Sequence, residues 1–292
     1  MDRLLTDTGM KIADLSERIL FIIVVFRERI EACAAWKSLV SEVNNYPCRV
    51  NVLVYDNSPE PQKPEPGDRM LLHYHHNAGN AGVSEAYNFG KKIADESGKN
   101  WLLLLDQDTQ ISPGSLEKYA ETLGKNPGAL ILAPLVMDQE GILSPFIFKG
   151  SSGRRIRSVL PELLSLKTYS AINSGLLIQS VAFQEAGGYD PSFPLDFSDI
   201  AFLKKFQVVS DHLFIVRTEL HQHFSGSTKA GLQDALSRFS TYSQATRSMG
   251  TLTGNKTGFW IRSLSRAIHL GIRYRQATFI KFHFQTWSRI KK

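Results

Sequence analysis

An α/β fold on a mostly parallel central sheet flanked by helices is predicted by three features of this 292-residue sequence. Short apolar runs alternate with segments of helical period. The early runs are continuously apolar, the pattern of strands covered on both faces. Polar turns rich in Asp, Asn and Gly follow one run after another. Alternating strands and helices imply right-handed crossovers, which bring the ends of parallel strands to one edge of the sheet.

Residues 18–26, centred on Ile19-Leu20-Phe21-Ile22-Ile23-Val24-Val25, read as the first strand. A helix is expected from about 28 to 44. Residues 50–55 form the second strand, ending in Asp56-Asn57-Ser58, and 59–67 a Pro-rich surface loop. A short third strand covers 71–75. Residues 82–97 carry Val83, Ala86, Tyr87, Gly90, Ile93 and Ala94 at helical spacing, and 101–105 are the fourth strand. A further helix is expected with Ser112 as N-cap, Pro113 in its first turn and Gly124 as its stop. From 141 to 169 periodicity is lost around Gly150, Gly153 and Arg154-Arg155-Arg157, which predicts a mobile loop region. Residues 213–216 are a late strand leading into His221 and His223.

A 42% hydrophobic content over this length supports a sizeable core. The longest apolar runs, 19–26 and 129–137, fall well short of the roughly 20 residues of a membrane-spanning helix, and the N-terminus is polar. A cytoplasmic location is expected, with attachment to the inner face of the plasma membrane as an extension. Cys33 and Cys48, the only cysteines, lie in apolar segments and read as buried thiols.

Charge is unevenly spread. Residues 235–292 hold eleven Lys or Arg and no acid, whereas the first 234 hold 23 basic and 28 acidic residues. In this basic segment Phe259, Trp260, Ile268, Phe279, Phe284 and Trp287 interleave with Arg262, Arg266, Arg273, Arg275 and Lys281. Helical spacing sets aromatic and basic faces side by side. Three occupants suit such a face: an anionic membrane surface, the chain's own main domain, or a second subunit in a homodimer. Nucleic acid is not expected as a partner, since no recognised module accompanies the charge.

The run Trp101-Leu102-Leu103-Leu104-Leu105-Asp106-Gln107-Asp108 sets two carboxylates one residue apart at the end of a buried strand. Hard carboxylate oxygens suit Mg2+ or Mn2+, ions that also take oxygens from a substrate diphosphate. Asp-x-Asp is also good turn and cap chemistry. The same pair suits a phosphohydrolase of the haloacid dehalogenase type, although Thr109 arrives one position early for that Asp-x-Asp-x-Thr pattern.

Four strand ends therefore converge: Phe26-Arg27, Asp56-Asn57, residues 77–82 and Asp106-x-Asp108. With Asn77-x-Gly79-Asn80-Ala81-Gly82 running on through Tyr87, Asn88 and Gly90, they resemble the nucleotide-sugar half of family 2 glycosyltransferases of the GT-A type, the rhamnosyltransferase branch most closely. Asn173-Ser174-Gly175, Gly187-Gly188-Tyr189-Asp190, Phe193-Pro194-Leu195-Asp196-Phe197-Ser198-Asp199 and His223-Phe224-Ser225-Gly226 continue the pattern in order, so the resemblance covers about residues 18–230. Two positions depart from it. Ala201 replaces an acid often found there, and Val25-Phe26-Arg27 replaces a polar Thr-Tyr-Asn.

The resemblance implies a GT-A domain over residues 1–230, with a nucleotide-sugar half at about 18–110 and an acceptor half at about 111–230, followed by a basic amphipathic helical tail at 231–292. It implies an inverting, metal-dependent transfer of sugar from a nucleoside-diphosphate donor, dTDP-rhamnose in the nearest branch, to a glycan or lipid-linked oligosaccharide of a surface polysaccharide. Asp56 would bind the base, Asp106 the ribose or the metal, and Asp108 and His223 the metal, Mg2+ or Mn2+. Phe26, Arg27, Asn57, Asn77, Asn80, Gly82, Asn88, Gln107 and Ser174 would line the donor or its surroundings. Asp199 would be the general base, with Asp196 orienting the acceptor. Acids at 196 and 199 also suit the N-terminus of a helix over 200–206. A sugar-nucleotide or membrane-binding protein without turnover is the non-catalytic alternative.

Overall fold

The structure, a computed structural model, describes residues 12–157, 161–222 and 231–288. The chain runs through α1 (Ile12–Arg18), β1 (Ile19–Val25), a 3-10 turn at Ile30–Ala32, α2 (Ala34–Val43), β2 (Val50–Asp56), β3 (Met70–His76), α3 (Gly82–Glu96), β4 (Trp101–Asp106), β5 (Thr109–Ile111), α4 (Ser115–Lys125) and β6 (Ile131–Asp138). It continues through β7 (Gly141–Ser144), β8 (Phe146–Lys149), β9 (Ser152–Arg155), β10 (Leu163–Ser165), β11 (Tyr169–Ser170), β12 (Leu177–Gln179), α5 (Ser180–Glu185), α6 (Ser198–Phe206) and β13 (His212–Gln222). Three helices follow: α7 (Leu232–Leu252), α8 (Lys256–Tyr274) and α9 (Thr278–Ser288).

All seven residues of β1 are buried, and the pleat divides them. Ile19, Phe21, Ile23 and Val25 enter a core with Trp36 and Leu39 of α2 and Leu116 of α4. Leu20, Ile22 and Val24 enter the opposite core with Ala86 and Tyr87 of α3 and Phe202 of α6. This two-sided burial explains why the sequence shows no alternation, and each such side chain contributes roughly 1.5–3 kcal/mol. The sheet order is β10-β13-β6-β12-β4-β1-β2-β3, with β5 on β13 and β7 on β6. Strands β3, β2, β1 and β4 are parallel, β12 is antiparallel to both of its neighbours, and β13 runs parallel to β6. The expected mostly parallel, helix-flanked sheet is what forms.

Three local expectations are corrected. The helix expected from about 28 begins at Ala34. Arg27 has a left-handed backbone, and the Gln62 amide bonds the Glu28 carbonyl at 2.9 Å and the Ile30 amide at 3.1 Å, which takes these groups out of a helical ladder. Helix α4 starts after Gly114 rather than at Ser112, and runs past Gly124 to Lys125. The buried Glu42 of α2 supplies its cap, accepting from the Gly114 amide at 2.9 Å and the Leu116 amide at 3.1 Å. The segment expected as a mobile loop instead forms five short strands, β7 to β11. Of these, β8 pairs with β9 and β11 in a small second sheet, and Arg155 holds Asp138 through both guanidinium nitrogens.

The basic C-terminal segment is helical and packs on the main body. Ala245, Met249, Phe259 and Trp287 bury against Phe148, Phe193 and Ile200, while Phe239, Ala267 and Phe279 form a cluster among the three helices. Their outer face keeps Ile261, Ile268, Ile272 and Phe284 exposed. Cys33 and Cys48 are buried free thiols, as expected. Among the described residues no helix is long and apolar enough to cross a membrane.

Candidate active site

The parallel strands β1, β2, β3 and β4 deliver their C-terminal ends to one edge, where backbone bonds join them. The Asn57 amide bonds the Val25 carbonyl and the Asn77 amide the Asp56 carbonyl, each at 2.8 Å. The Phe26 amide donates to Gln107 Oε1 at 2.7 Å, and the Arg27 amide to Ser58 Oγ at 2.9 Å. Phe26 is exposed, and the Arg27 guanidinium carbon lies 4.9 Å from its ring centroid. Arg27 and Asn80 both have positive φ, which costs a non-glycine residue on the order of 1–3 kcal/mol and collects at ligand-binding loops.

Not every expected donor residue faces open space. Asp56 is fully buried: Oδ1 accepts from the Ser58 amide at 2.9 Å, and Oδ2 from the Tyr74 hydroxyl at 2.9 Å and Gln62 Nε2 at 3.3 Å. Asn57 is buried with Nδ2 on the Gly82 carbonyl at 3.4 Å, and its Oδ1 has no partner among the described residues. Asn77 bridges the Tyr55 hydroxyl and the Gly79 amide, so it shapes the 77–82 turn. Asn88 bonds both the amide and the carbonyl of Tyr189 at 2.9 Å, tying α3 to the segment between α5 and α6.

The carboxylates form the centre of the site. The Tyr87 hydroxyl donates to Asp106 Oδ1 at 3.1 Å and Ser174 Oγ to Oδ2 at 2.8 Å, so both oxygens are held before any ligand arrives. Burial raises the Asp106 pKa and those two bonds oppose the rise. Gln222 Nε2 donates to Asp108 Oδ1 at 3.1 Å. Burial, then the charge of Asp106, lift Asp108 to about 6. Asp108 also lines a cleft of about 520 Å³ with Glu28, Lys37, Ser38 and Gln110.

The turn from Phe193 to Asp199, at the N-terminus of α6, adjoins the loop that follows β3. It is bonded directly to the first turn of α3, just after the glycine-rich 77–82 turn: the Val83 amide donates to the Pro194 carbonyl at 2.7 Å and Ser84 Oγ to the Phe193 carbonyl at 2.5 Å. Gly82, at φ +85°, meets Pro194 so closely that a Cβ would collide with its carbonyl. Burial, with the charges of Asp106 and Asp196 adding to it, raises the Asp199 carboxyl to about 7. Asp196 is gripped by both guanidinium nitrogens of Arg238 from α7.

Asp106, Asp108 and Asp199 thus form a chain of acids in which Asp106 raises both of the others. Such crowded negative charge suits a cation and a proton-accepting role alike. The pair Asp106 and Asp108 fits a hard divalent ion by ligand chemistry, with Asp108 the more available partner. Among the described residues no group of three His, Cys, Asp or Glu side chains could hold a metal unaided. His223 lies outside the described residues.

Tyr87, Gln222, Gln62, Tyr74 and Arg238 touch the expected site residues and were not among those singled out by sequence. Tyr87 lies inside the 77–90 stretch, where helical spacing places it on the core face. Arg238 and Gln222 come from elements with no local signal linking them to the strand ends.

An edge of a parallel sheet that gathers paired acids beneath a second acidic wall defines an α/β protein of the GT-A class. Residues 21–153 match the family model described as Glycosyl transferase family 2. The matched stretch holds Asp56, residues 77–82, Asp106 and Asp108; Asp199 and the C-terminal helices lie beyond it. Staphylococcus aureus TarS residues 1–349, solved in complex with UDP, is similar at 11% identity and TM-score 0.50, covering 89% of this chain and 92% of that one. GalNAc-T7, solved with UDP, GalNAc and Mn2+, has 16% identity and TM-score 0.49 over 70% of this chain. The chain spans 43% of the GalNAc-T7 chain's length. No curated protein matches the sequence. The family match sets aside the phosphohydrolase alternative.

Proposed function

We propose that the protein is an inverting, divalent-metal-dependent glycosyltransferase that moves a sugar from a nucleoside diphosphate to a hydroxyl of a glycan or lipid-linked oligosaccharide. One observation carries this reading: at the start of α6, burial together with the charges of Asp106 and Asp196 raises the Asp199 carboxyl to about 7. A base poised near neutrality is well matched to removing a proton from an attacking hydroxyl. In the step, Asp199 takes the acceptor proton, the acceptor oxygen bonds the anomeric carbon, and the bond to the diphosphate breaks with its electron pair leaving on the phosphate oxygen. Single displacement inverts that carbon. The positive φ at Arg27, Asn80 and Gly82 would let backbone approach a donor at these loops. Asp108 and Asp106, with His223 expected beside them, would hold Mg2+ or Mn2+, which when bound neutralises diphosphate charge as a Lewis acid.

Residues 1–230 act in this reading as the transferase domain, split into donor (about 18–110) and acceptor (about 111–230) halves, with 231–292 as a basic tail. The donor proposed is dTDP-rhamnose. The exposed Ile261, Ile268, Ile272 and Phe284, on a segment with no acid after Asp234, support a peripheral position on the anionic inner face of the plasma membrane, where a lipid-linked acceptor resides.

The test is a panel of nucleotide sugars, including dTDP-rhamnose and UDP-GlcNAc, with Mn2+ or chelator. A true donor should raise the melting temperature only with the metal and release its nucleoside diphosphate when acceptor is added. Asp108→Ala should remove the metal-dependent rise. A panel in which no nucleotide sugar binds or is cleaved would sink the proposal. Co-sedimentation with anionic but not neutral vesicles checks the membrane placement, a concentration-dependent dimer being the contrary result.

A further inference from the structure

The first two turns of α7 contact both the loop after β1 and the turn before α6. Asp234 stands 3.9 Å from Arg27 of the donor loop. One turn on, Arg238 donates from Nη1 and Nη2 to the two carboxylate oxygens of Asp196, the latter bond at 3.0 Å. The Asp196 side chain is only 15% exposed, so its charge is largely out of water and matched by a guanidinium fork of the right shape. The next residue, Phe197, has positive φ and precedes the first turn of α6. Its ring lies 5.7 Å from Tyr242 of α7 and 5.8 Å from Phe259 of α8, with the Arg262 guanidinium 5.3 Å away. The start of the same turn is bonded to α3 through Phe193 and Pro194. The half nearer Asp199 is therefore anchored by the C-terminal helices.

We infer that Arg238 is a positioning residue for the acceptor side of the cleft: by holding both oxygens of Asp196 while Phe197 is keyed between α7 and α8, it fixes the Phe193–Asp199 turn. Asp196 then serves as the handle of that turn rather than as a free contact for the acceptor. The C-terminal helices become part of the acceptor site. The kinetic arm of this inference rests on the glycosyl-transfer reading; the structural arm does not.

The test compares full-length wild type with Arg238→Gln, Arg238→Lys, Asp196→Asn and the Arg238→Gln/Asp196→Asn double variant. Amide exchange followed by mass spectrometry should accelerate at least tenfold over residues 193–201 in Arg238→Gln and stay unchanged in β1 and β4. Acceptor KM should rise about tenfold in Arg238→Gln, while donor KM and acceptor-independent donor hydrolysis stay within twofold. Arg238→Lys should recover part of the loss, and the double variant should be no worse than either single one. Unchanged exchange over 193–201 overturns the inference whether or not the enzyme transfers sugar. Exchange that accelerates alongside an unaltered acceptor KM, or single effects that multiply in the double variant, also overturns it. Absence of any transfer or hydrolysis by wild type counts against the functional proposal alone, leaving exchange to decide on Arg238.

Discussion

Replacing Asp199 with Asn should remove sugar transfer and at the same time make the protein more stable. Burial and the charges of Asp106 and Asp196 move this carboxyl from 3.8 to about 7. The folded chain therefore keeps a proton that the unfolded chain releases from about pH 4 upward. Stability falls as pH rises through that window, and the penalty is complete above about pH 7. At about 1.4 kcal/mol per pH unit, ionised Asp199 destabilises the fold by at most about 4 kcal/mol at pH 8, about half of that at pH 5.5, and almost nothing at pH 4. The neutral, isosteric Asn escapes this penalty. Melting of wild type and Asp199→Asn in chelator at these three pH values, beside nucleotide release with donor and acceptor, reads both effects. A variant that melts no higher than wild type at pH 8, or whose advantage does not shrink toward pH 4, refutes the desolvated carboxylate. Full transfer by the variant removes Asp199 from the role of base.

Gly82→Ala adds a Cβ at positive φ and against the Pro194 carbonyl, so denaturant unfolding should show a loss of roughly 2–4 kcal/mol; a neutral result would mean that the donor and acceptor turns are not in contact. Glu42→Ala strips the cap from α4 and should lower stability by roughly 1–3 kcal/mol, with faster amide exchange in its first turn than in its last. His283 is buried with Nδ1 on Ser263 Oγ at 2.9 Å, and burial pushes its pKa below 6.5. The unfolded chain takes that proton first, so its share of stability is lost as pH falls through about 6.5. In His283→Gln this acid-side loss, followed by melting between pH 7.5 and 5.5, should be absent, and an identical slope would rule it out.

What the sequence could disclose followed from how far each signal reaches. Strands β1, β2 and β4 were legible because burial on both faces leaves continuous apolar runs. The start of α2 was not, since the groups that interrupt it belong to Gln62, some thirty residues away. Nor was the cap of α4, supplied by Glu42 from another helix. Strands β7 to β11 have two to four residues each, too few for a period to show. Acids at strand ends could be located in the sequence because strand position fixes where they emerge. Their partners Tyr87 and Gln222, and Arg238 on Asp196 before α6, arrive through the tertiary fold. The amphipathic C-terminal segment announced helices but not what they cover, because a buried aromatic such as Phe259 and an exposed one such as Phe284 look alike in the sequence.

The bonds from Val83 and Ser84 to Pro194 and Phe193 bear on how the protein operates. A seam stitched at that point does not let the two halves swing apart like a jaw. In the transferase reading this seam holds the spacing between the leaving-group side and the proton-accepting side, and motion that admits substrates belongs to the segments bordering it rather than to the seam itself.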